Sequence, residues 1–270
     1  MTEAREALRA VIDRHGLAAR KSLGQHFLLD PELLARIARV AGSLIGVNVI
    51  EVGPGPGGLT RALLDTGAAS VTAIEIDPRA IAATSELLAA HGDRLRVIEG
   101  DALGMDLAGL APTPRAIVAN LPYNAGTAML VDWLHHAAEF RSMTLMFQRE
   151  VAERIVAAPG SPHYGRLAVL AALTVERSIG MIVPAGAFSP PPRVESAVVR
   201  LVPHQRQPSG DLLVLVGRVT AAAFGQRRKM LRGSLRALGG AALLERVGID
   251  PALRAEVLAP DDYVRLAESL

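Results

Sequence analysis

The chain has no cysteine, only two lysines, and aromatic residues at 3% of its 270 positions. Without cysteine there is neither a disulfide nor a thiolate metal ligand, which fits a reducing, cytoplasmic setting. No uncharged stretch has both the length and the apolarity of a membrane span: residues 116–131 hold two asparagines and Pro122. A soluble protein with no membrane partner is expected. Residues 1–21 are arginine-rich but carry Glu3, Glu6 and Asp13 and lack an apolar signal core, so neither export nor organelle import is expected. No His, Asp and Glu cluster suggests a metal site, and a monomer is the default expectation.

Charge of one sign is also scarce, but only locally. The formal net charge is +2, yet between Glu195 and Glu245 the sole acid is Asp211, against Arg200, Arg206, Arg218, Arg227, Arg228, Lys229, Arg232 and Arg236. That third of the chain is basic, and arginine suits bidentate phosphate contacts. With so few aromatics, Phe27, Tyr123, Phe147, Phe188 and Phe224 are informative, each lying beside a polar or Pro/Gly motif.

Along the chain, an amphipathic opening helix leads to the loop Lys21 to Leu28. There polar Gln25 and His26 precede apolar Phe27 and Leu28. Asp30 and Pro31 signal the N-cap and first turn of a helix to about Val40. Val47 to Val52 reads as a buried strand running into Gly53-Pro54-Gly55-Pro56-Gly57-Gly58 and then a helix from Leu59 to Leu64. A strand, a glycine-rich turn and a helix make a nucleotide cradle, because a ligand must approach bare backbone. This loop alone does not separate a nicotinamide cofactor from S-adenosylmethionine. The next strand, Val71 to Ile76, brings Glu75 to where it can accept both ribose hydroxyls. A third, Leu95 to Ile98, ends near Asp101, which can accept from an adenine amino group or simply form a turn.

Residues 115–119 form a short buried strand that delivers Asn120-Leu121-Pro122-Tyr123 at its C-terminal end, where open α/β sheets place their ligands. Pro122 biases Leu121 away from helical geometry and frees its carbonyl. If a flipped adenine arrives there, the Asn120 side-chain oxygen and the Leu121 carbonyl can accept its two N6 hydrogens while Tyr123 stacks on the base. Taken alone, these four residues also fit an ordinary strand-to-loop turn. Ser142 to Phe147 is read as a fifth strand, followed by a helical 148–155. Gly165 to Val175 is an apolar helix candidate, and Ile179 to Val183 and Ala197 to Val202 are closing strands. The run from Phe188 through Pro190-Pro191-Pro192 to Arg193 is stiff and extended, a surface suited to a partner. From Asp211 on, the pattern is helical, broken at Gly239-Gly240 and Gly248 to Pro251. Treated as helical, 224–232 puts Arg228 and Arg232 on one face, where a phosphate backbone can lie. The expected boundary lies in 203–210, dividing an α/β domain (1–205) from a helical RNA-binding domain (206–270).

Together, Gly24 to Leu28, Glu51 to Gly57, Glu75, Asp101, Asn120 to Tyr123, Phe188 to Ser196 and Gln226 to Lys229 resemble the ribosomal RNA adenine N6-dimethyltransferase family, most closely its small-subunit branch. The resemblance implies a Rossmann-like, seven-stranded α/β methyltransferase domain with a small all-helical C-terminal domain, and S-adenosylmethionine as donor. It implies dimethylation of two adjacent adenosines in the 3′-terminal hairpin loop of the small-subunit RNA, with the small ribosomal subunit as partner. It assigns Asn120, Leu121, Pro122 and Tyr123 to catalysis. To the cofactor it assigns Gln25, His26, Leu28, Gly53, Gly55, Glu75, Ile76, Asp101 and Ala102, with Asn120 shared. Phe188, Arg193, Arg227, Arg228, Lys229 and Arg232 are the expected RNA contacts. The chain departs from the usual pattern at Gly126 and Ala128, after the catalytic turn, and at Met230 and Gly233. Small residues at 126 and 128 are read as leaving room for a monomethyl intermediate. Three other readings compete: a nicotinamide-dependent oxidoreductase, a large-subunit RNA methyltransferase conferring antibiotic resistance, and an RNA-binding assembly factor whose methylation is secondary.

Overall fold

The computed structural model describes residues 7–18 and 25–270; Lys21 to Gly24, the start of the expected cofactor loop, lie outside them. The described strands are β1 (Phe27–Leu28), β2 (Asn48–Val52), β3 (Ser70–Glu75), β4 (Leu95–Glu99), β5 (Arg115–Asn120), β6 (Ser142–Gln148), β7 (Val175–Val183), β8 (Phe188–Ser189) and β9 (Ser196–Pro203). The helices are α1 (Leu8–Arg14), α2 (Pro31–Val40), α3 (Gly58–Leu64), α4 (Pro78–Ser85), α5 (Leu88–His91) and α6 (Gly126–His135). They continue with α7 (Arg149–Val156), α8 (Arg166–Thr174), α9 (Gly210–Gly225), α10 (Leu231–Ser234), α11 (Gly240–Arg246) and α12 (Pro260–Glu268).

By internal contacts the chain divides into two units, the first made of residues 1–132, 139–152 and 178–202. Its centre is a seven-stranded sheet of order β4-β3-β2-β5-β6-β9-β7. Pairing is parallel from β4 to β6 and antiparallel between β6 and β9. The central strands are near-continuous apolar runs because helices cover both faces of a parallel sheet. β7, at the edge, instead alternates buried and wetter positions along its length. The helices start where local chemistry dictates. The Asp30 carboxylate accepts from the Glu32 and Leu33 amides with Pro31 at the first position of α2, and Asp77 does the same for Arg79 ahead of α4.

From β2 the chain winds outward through β3 to β4, then returns to lay β5 on the other side of β2. The reversal between β2 and β5 is the topological switch point, and a crevice opens there at the strands' C-terminal ends. A second, two-stranded sheet pairs β1 antiparallel with β8, Phe27 opposite Ser189 and Leu28 opposite Phe188.

The second unit comprises residues 133–138, 153–177 and 203–270. It therefore draws in residues 153–177 besides the expected C-terminal helices, because buried Ala168, Val169 and Leu173 of α8 join the same apolar cluster as α9 and α12. Its core holds three aromatics. Phe224 lies edge-on to Tyr164 and stacks on Tyr263, whose hydroxyl donates to the Ala255 carbonyl. The stretch expected to continue as a helix through 224–232 does not: α9 ends at Gly225, residues 226–230 form a turn, and α10 begins at Leu231. Two long-range bonds override the local pattern, the Leu231 amide donating to the Leu253 carbonyl and the Arg232 amide to the Pro251 carbonyl. Arg228 and Arg232 accordingly do not share one helix face.

Candidate active site

A cavity of about 250 Å³ lies at the switch point, lined among others by Gln25, Gly53, Glu75, Asp101, Asn120 and Tyr123. Leu28, Gly55, Ile76 and Ala102 line it too, so every expected cofactor residue borders one space. Gly53, with φ +71°, is in the left-handed region, and a Cβ there would lie 3.8 Å from the Asn120 carbonyl. The glycine loop after β2 and the turn after β5 are thus immediate neighbours.

Glu75 closes β3 with its carboxylate almost buried. One oxygen accepts from the Ile76 and Asp77 amides at 2.9 Å, the other from the Gly55 amide at 3.2 Å. Burial pushes its pKa above the usual carboxylate value, against the pull of these three N–H groups. Oε1 is filled by its two amide bonds, whereas Oε2, with one, keeps a further acceptor site. Ile76 beside it is 55% exposed, an apolar surface open to a ligand. Asp101 uses one oxygen to cap its own turn, accepting from the Leu103 amide at 2.9 Å. The two readings of Asp101 are compatible, since its second oxygen is outside that bond.

Gln25 donates to Asp77 at 3.2 Å, and Arg79 grips the same carboxylate. Those bonds, Arg79 foremost, hold the Asp77 pKa down at about 2 despite burial. Sequence reasoning gave Asp77 no role, and Glu51 only a place at the start of the glycine motif. Glu51 is 1% exposed at the end of β2, and one oxygen accepts from the Thr60 hydroxyl at 2.6 Å while the other has no partner among the described residues. Burial raises its pKa to about 8, the Thr60 bond opposing and the nearby Glu75 charge reinforcing. An acid inside an apolar strand just ahead of a glycine loop was the signal that could have found it.

In the turn after β5, the amides of Ala125 and Gly126 both donate to the Pro122 carbonyl, leaving the Leu121 carbonyl outside the turn's own bonding. The Asn120 side-chain nitrogen donates to the His26 carbonyl at 3.5 Å, which turns its oxygen the other way. Tyr123 is half-buried; burial raises its phenol above the ordinary value, with a hydrogen bond to Ser196 opposing. Gly126 does not border open space: a Cβ there would meet the Leu121 Cβ at 3.2 Å and the Phe147 ring at 3.3 Å. The Ala128 side chain is exposed. The expected room at 126 is therefore already filled by Leu121 and Phe147.

Of the expected RNA contacts, Arg193, Arg228, Lys229 and Arg232 are exposed. Arg227 is engaged within its own unit, donating to Glu256 at 3.2 Å and to the Pro162 carbonyl at 2.8 Å. Phe188 is 4% exposed and packs in the core of the first unit, so it is an interior residue and not a surface one. Among the described residues no group of three or more His, Asp or Glu side chains could hold a metal ion, and no helix is long and apolar enough to cross a membrane.

A seven-stranded sheet with a glycine loop and an Asn-Leu-Pro-Tyr turn at one switch point defines a class, the Rossmann-like S-adenosylmethionine-dependent methyltransferases, and solved structures agree. A dimethyladenosine transferase from Plasmodium falciparum is similar with a TM-score of 0.77 and 27% identity over 89% of this chain and 96% of its own. The 23S rRNA methyltransferase ErmE is similar with a TM-score of 0.68 and 30% identity, over 90% and 99%. A ribosomal RNA small subunit methyltransferase A from Gluconobacter oxydans (strain 621H) is 56% identical over 262 residues, 97% of this chain and 86% of the relative. The family profile described as ribosomal RNA adenine dimethylase matches residues 16–270. The chain belongs to the ribosomal RNA adenine dimethylase family and is an rRNA-methylating enzyme.

Proposed function

We propose that this enzyme carries two methyl groups to N6 of each of two adjacent adenosines in the 3′-terminal hairpin loop of the small-subunit RNA, acting on the small ribosomal subunit as a monomer in the cytoplasm. What favours the small-subunit RNA over the large is the 56% identity to a small-subunit relative, against 30% to the 23S enzyme. A nicotinamide oxidoreductase does not account for Asn120 to Tyr123.

The pocket's chemistry suits S-adenosylmethionine. Glu75 offers a carboxylate acceptor to the ribose hydroxyls, the glycine loop leaves bare backbone, and Ile76 offers an apolar face to an adenine ring. A Cβ at Gly55 would come within 3.2 Å of the Phe27 ring, so the loop stays free of side chains there. Gln25, His26, Leu28, Gly53, Asp101 and Ala102 complete that assignment. When bound, the cofactor supplies an electrophilic methyl group on a sulfonium.

The chain's own part is positioning. The observation that carries the reading is the orientation of Asn120, whose nitrogen is committed to the His26 carbonyl so that its oxygen serves as acceptor beside the Leu121 carbonyl. Two acceptors at one amino group favour the pyramidal nitrogen that attack requires, and neither need be a strong base. Pro122 shapes the turn, Tyr123 stacks on the base, and the spare proton leaves to solvent. Arg193, Arg228, Lys229 and Arg232 contact the RNA backbone.

The test is transfer of labelled methyl from S-adenosylmethionine to small subunits lacking the modification, with the labelled nucleotides mapped. Dimethyladenosine at the two adjacent hairpin positions is expected. Label confined to other sites, or to large-subunit RNA, would overturn the substrate assignment.

A further inference from the structure

Tyr123 is held at two places by residues far from it in the chain. Its hydroxyl lies 2.6 Å from the Ser196 Oγ. Its ring stacks on the His26 imidazole, centroids 5.5 Å apart and planes inclined by 26°. Both holders are themselves fixed. Ser196 is fully buried, opens β9 and sits opposite Gln148 at the end of β6. The His26 Nδ1 is 2.8 Å from the Pro190 carbonyl, and its ring meets Phe188 edge-on at 6.4 Å.

A tyrosine ring has two rotatable side-chain bonds, and anchoring the hydroxyl while backing one face removes the freedom of both. The plane that a flipped base meets is then set before the base arrives. With His26 behind one face, stacking is directed to the other. The hydroxyl takes no part in methyl transfer, so its bond to a buried serine calls for a separate explanation. Without Ser196, the half-buried hydroxyl loses its partner, and the ring is free to tilt toward another. In-line attack is sensitive to such tilt, because the N6 atom lies at the edge of the base and is displaced when the plane of the base tilts.

We propose that Ser196 is a positioning residue for methyl transfer, acting through the Tyr123 hydroxyl to fix the plane on which the target base stacks, with His26 as the backing wall. This rests on the reading of Tyr123 as the base-stacking surface. It assigns the His26 side chain to the base side of the cavity.

The experiment is a double-mutant cycle of Ser196→Ala and Tyr123→Phe, measuring kcat and KM on unmethylated small subunits and S-adenosylmethionine affinity by calorimetry. Each single variant removes the same hydrogen bond, worth a factor of about 5 to 10 in kcat. The double variant is expected to be no slower than either single, with cofactor affinity unchanged in all three. Tyr123→Phe leaves β9 untouched, so it reports on the bond even where Ser196→Ala folds poorly. Multiplying losses in the double variant, wild-type kcat in Tyr123→Phe, or loss of cofactor affinity in step with kcat would each overturn the proposal. Tyr123→Ala separates the two levels. If it transfers at the wild-type rate, the stacking role itself fails; if it is inactive while Tyr123→Phe is fully active, only the Ser196 role fails.

Discussion

Replacing Glu51 by glutamine should flatten the dependence of this protein's stability on pH. The Glu51 carboxyl ties the end of β2 to Thr60 on α3, the two elements that flank the glycine loop, and burial raises its pKa from 4.5 to about 8. Between those values the folded protein keeps a proton that the unfolded chain has released. The group's contribution is therefore complete below about pH 4.5 and is lost as pH climbs through about 8. At roughly 1.4 kcal/mol per pH unit, moving from about pH 5 to about pH 7 removes about 3 kcal/mol. For a chain of this length that is a fall of about 5 °C in melting temperature. Asp77 works in the opposite sense but in another window: held at about 2 in the folded state, it loses its contribution only as pH falls below its ordinary 3.8. Glu51→Gln keeps an oxygen for Thr60 and has nothing to titrate. Thermal unfolding of both proteins from about pH 5 to about pH 8 should show the wild type losing those few kcal/mol relative to the variant. Parallel curves would refute a neutral carboxyl at Glu51.

Asn120→Ala should lower methyl transfer by about 100-fold or more while cofactor affinity stays near wild type, and Glu75→Ala should weaken cofactor affinity first. Calorimetry beside single-turnover rates decides, and equal losses of both in either variant would contradict the roles assigned. Gly126→Ser, driven against Leu121 and Phe147, should cost about 1–3 kcal/mol of stability and slow transfer, seen by melting and by the ratio of mono- to dimethyladenosine. Gly55→Ala, at φ +55° and against Phe27, should weaken cofactor binding by more than tenfold, measured by the same titration. Arg228→Ala and Lys229→Ala should each reduce the slope of log affinity for RNA against log salt by about one, whereas Arg227→Ala, whose guanidinium is held by Glu256 and Pro162, should change it less.

What was legible in the sequence was local chemistry. Asp30 with Pro31 marks the start of α2 because a carboxylate cap and a proline need nothing outside their own turn. The glycine loop and the Asn120 turn were readable for the same reason, and each stands at the end of the strand expected to deliver it. What was not legible depends on residues that meet only in the fold. The bond between Tyr123 and Ser196 and the pairing of β1 with β8 join distant segments, and two-residue strands carry no periodicity. Phe188 was expected outside because prolines follow it, yet β8 turns it into the core. The arginines after Phe224 have helical spacing, but the carbonyls of Pro251 and Leu253 compete for the amides that a helix would have used.

The short β1 and β8 pair has a consequence for how the protein is made. Phe27 leaves the ribosome early and waits for Ser189, which emerges only after more than two-thirds of the chain has been synthesised. His26 waits likewise for Pro190, and Tyr123 for Ser196. The glycine loop and Glu75 come from the first hundred residues or so, whereas the Tyr123 side of the cavity is completed by β8 and β9, later in the chain.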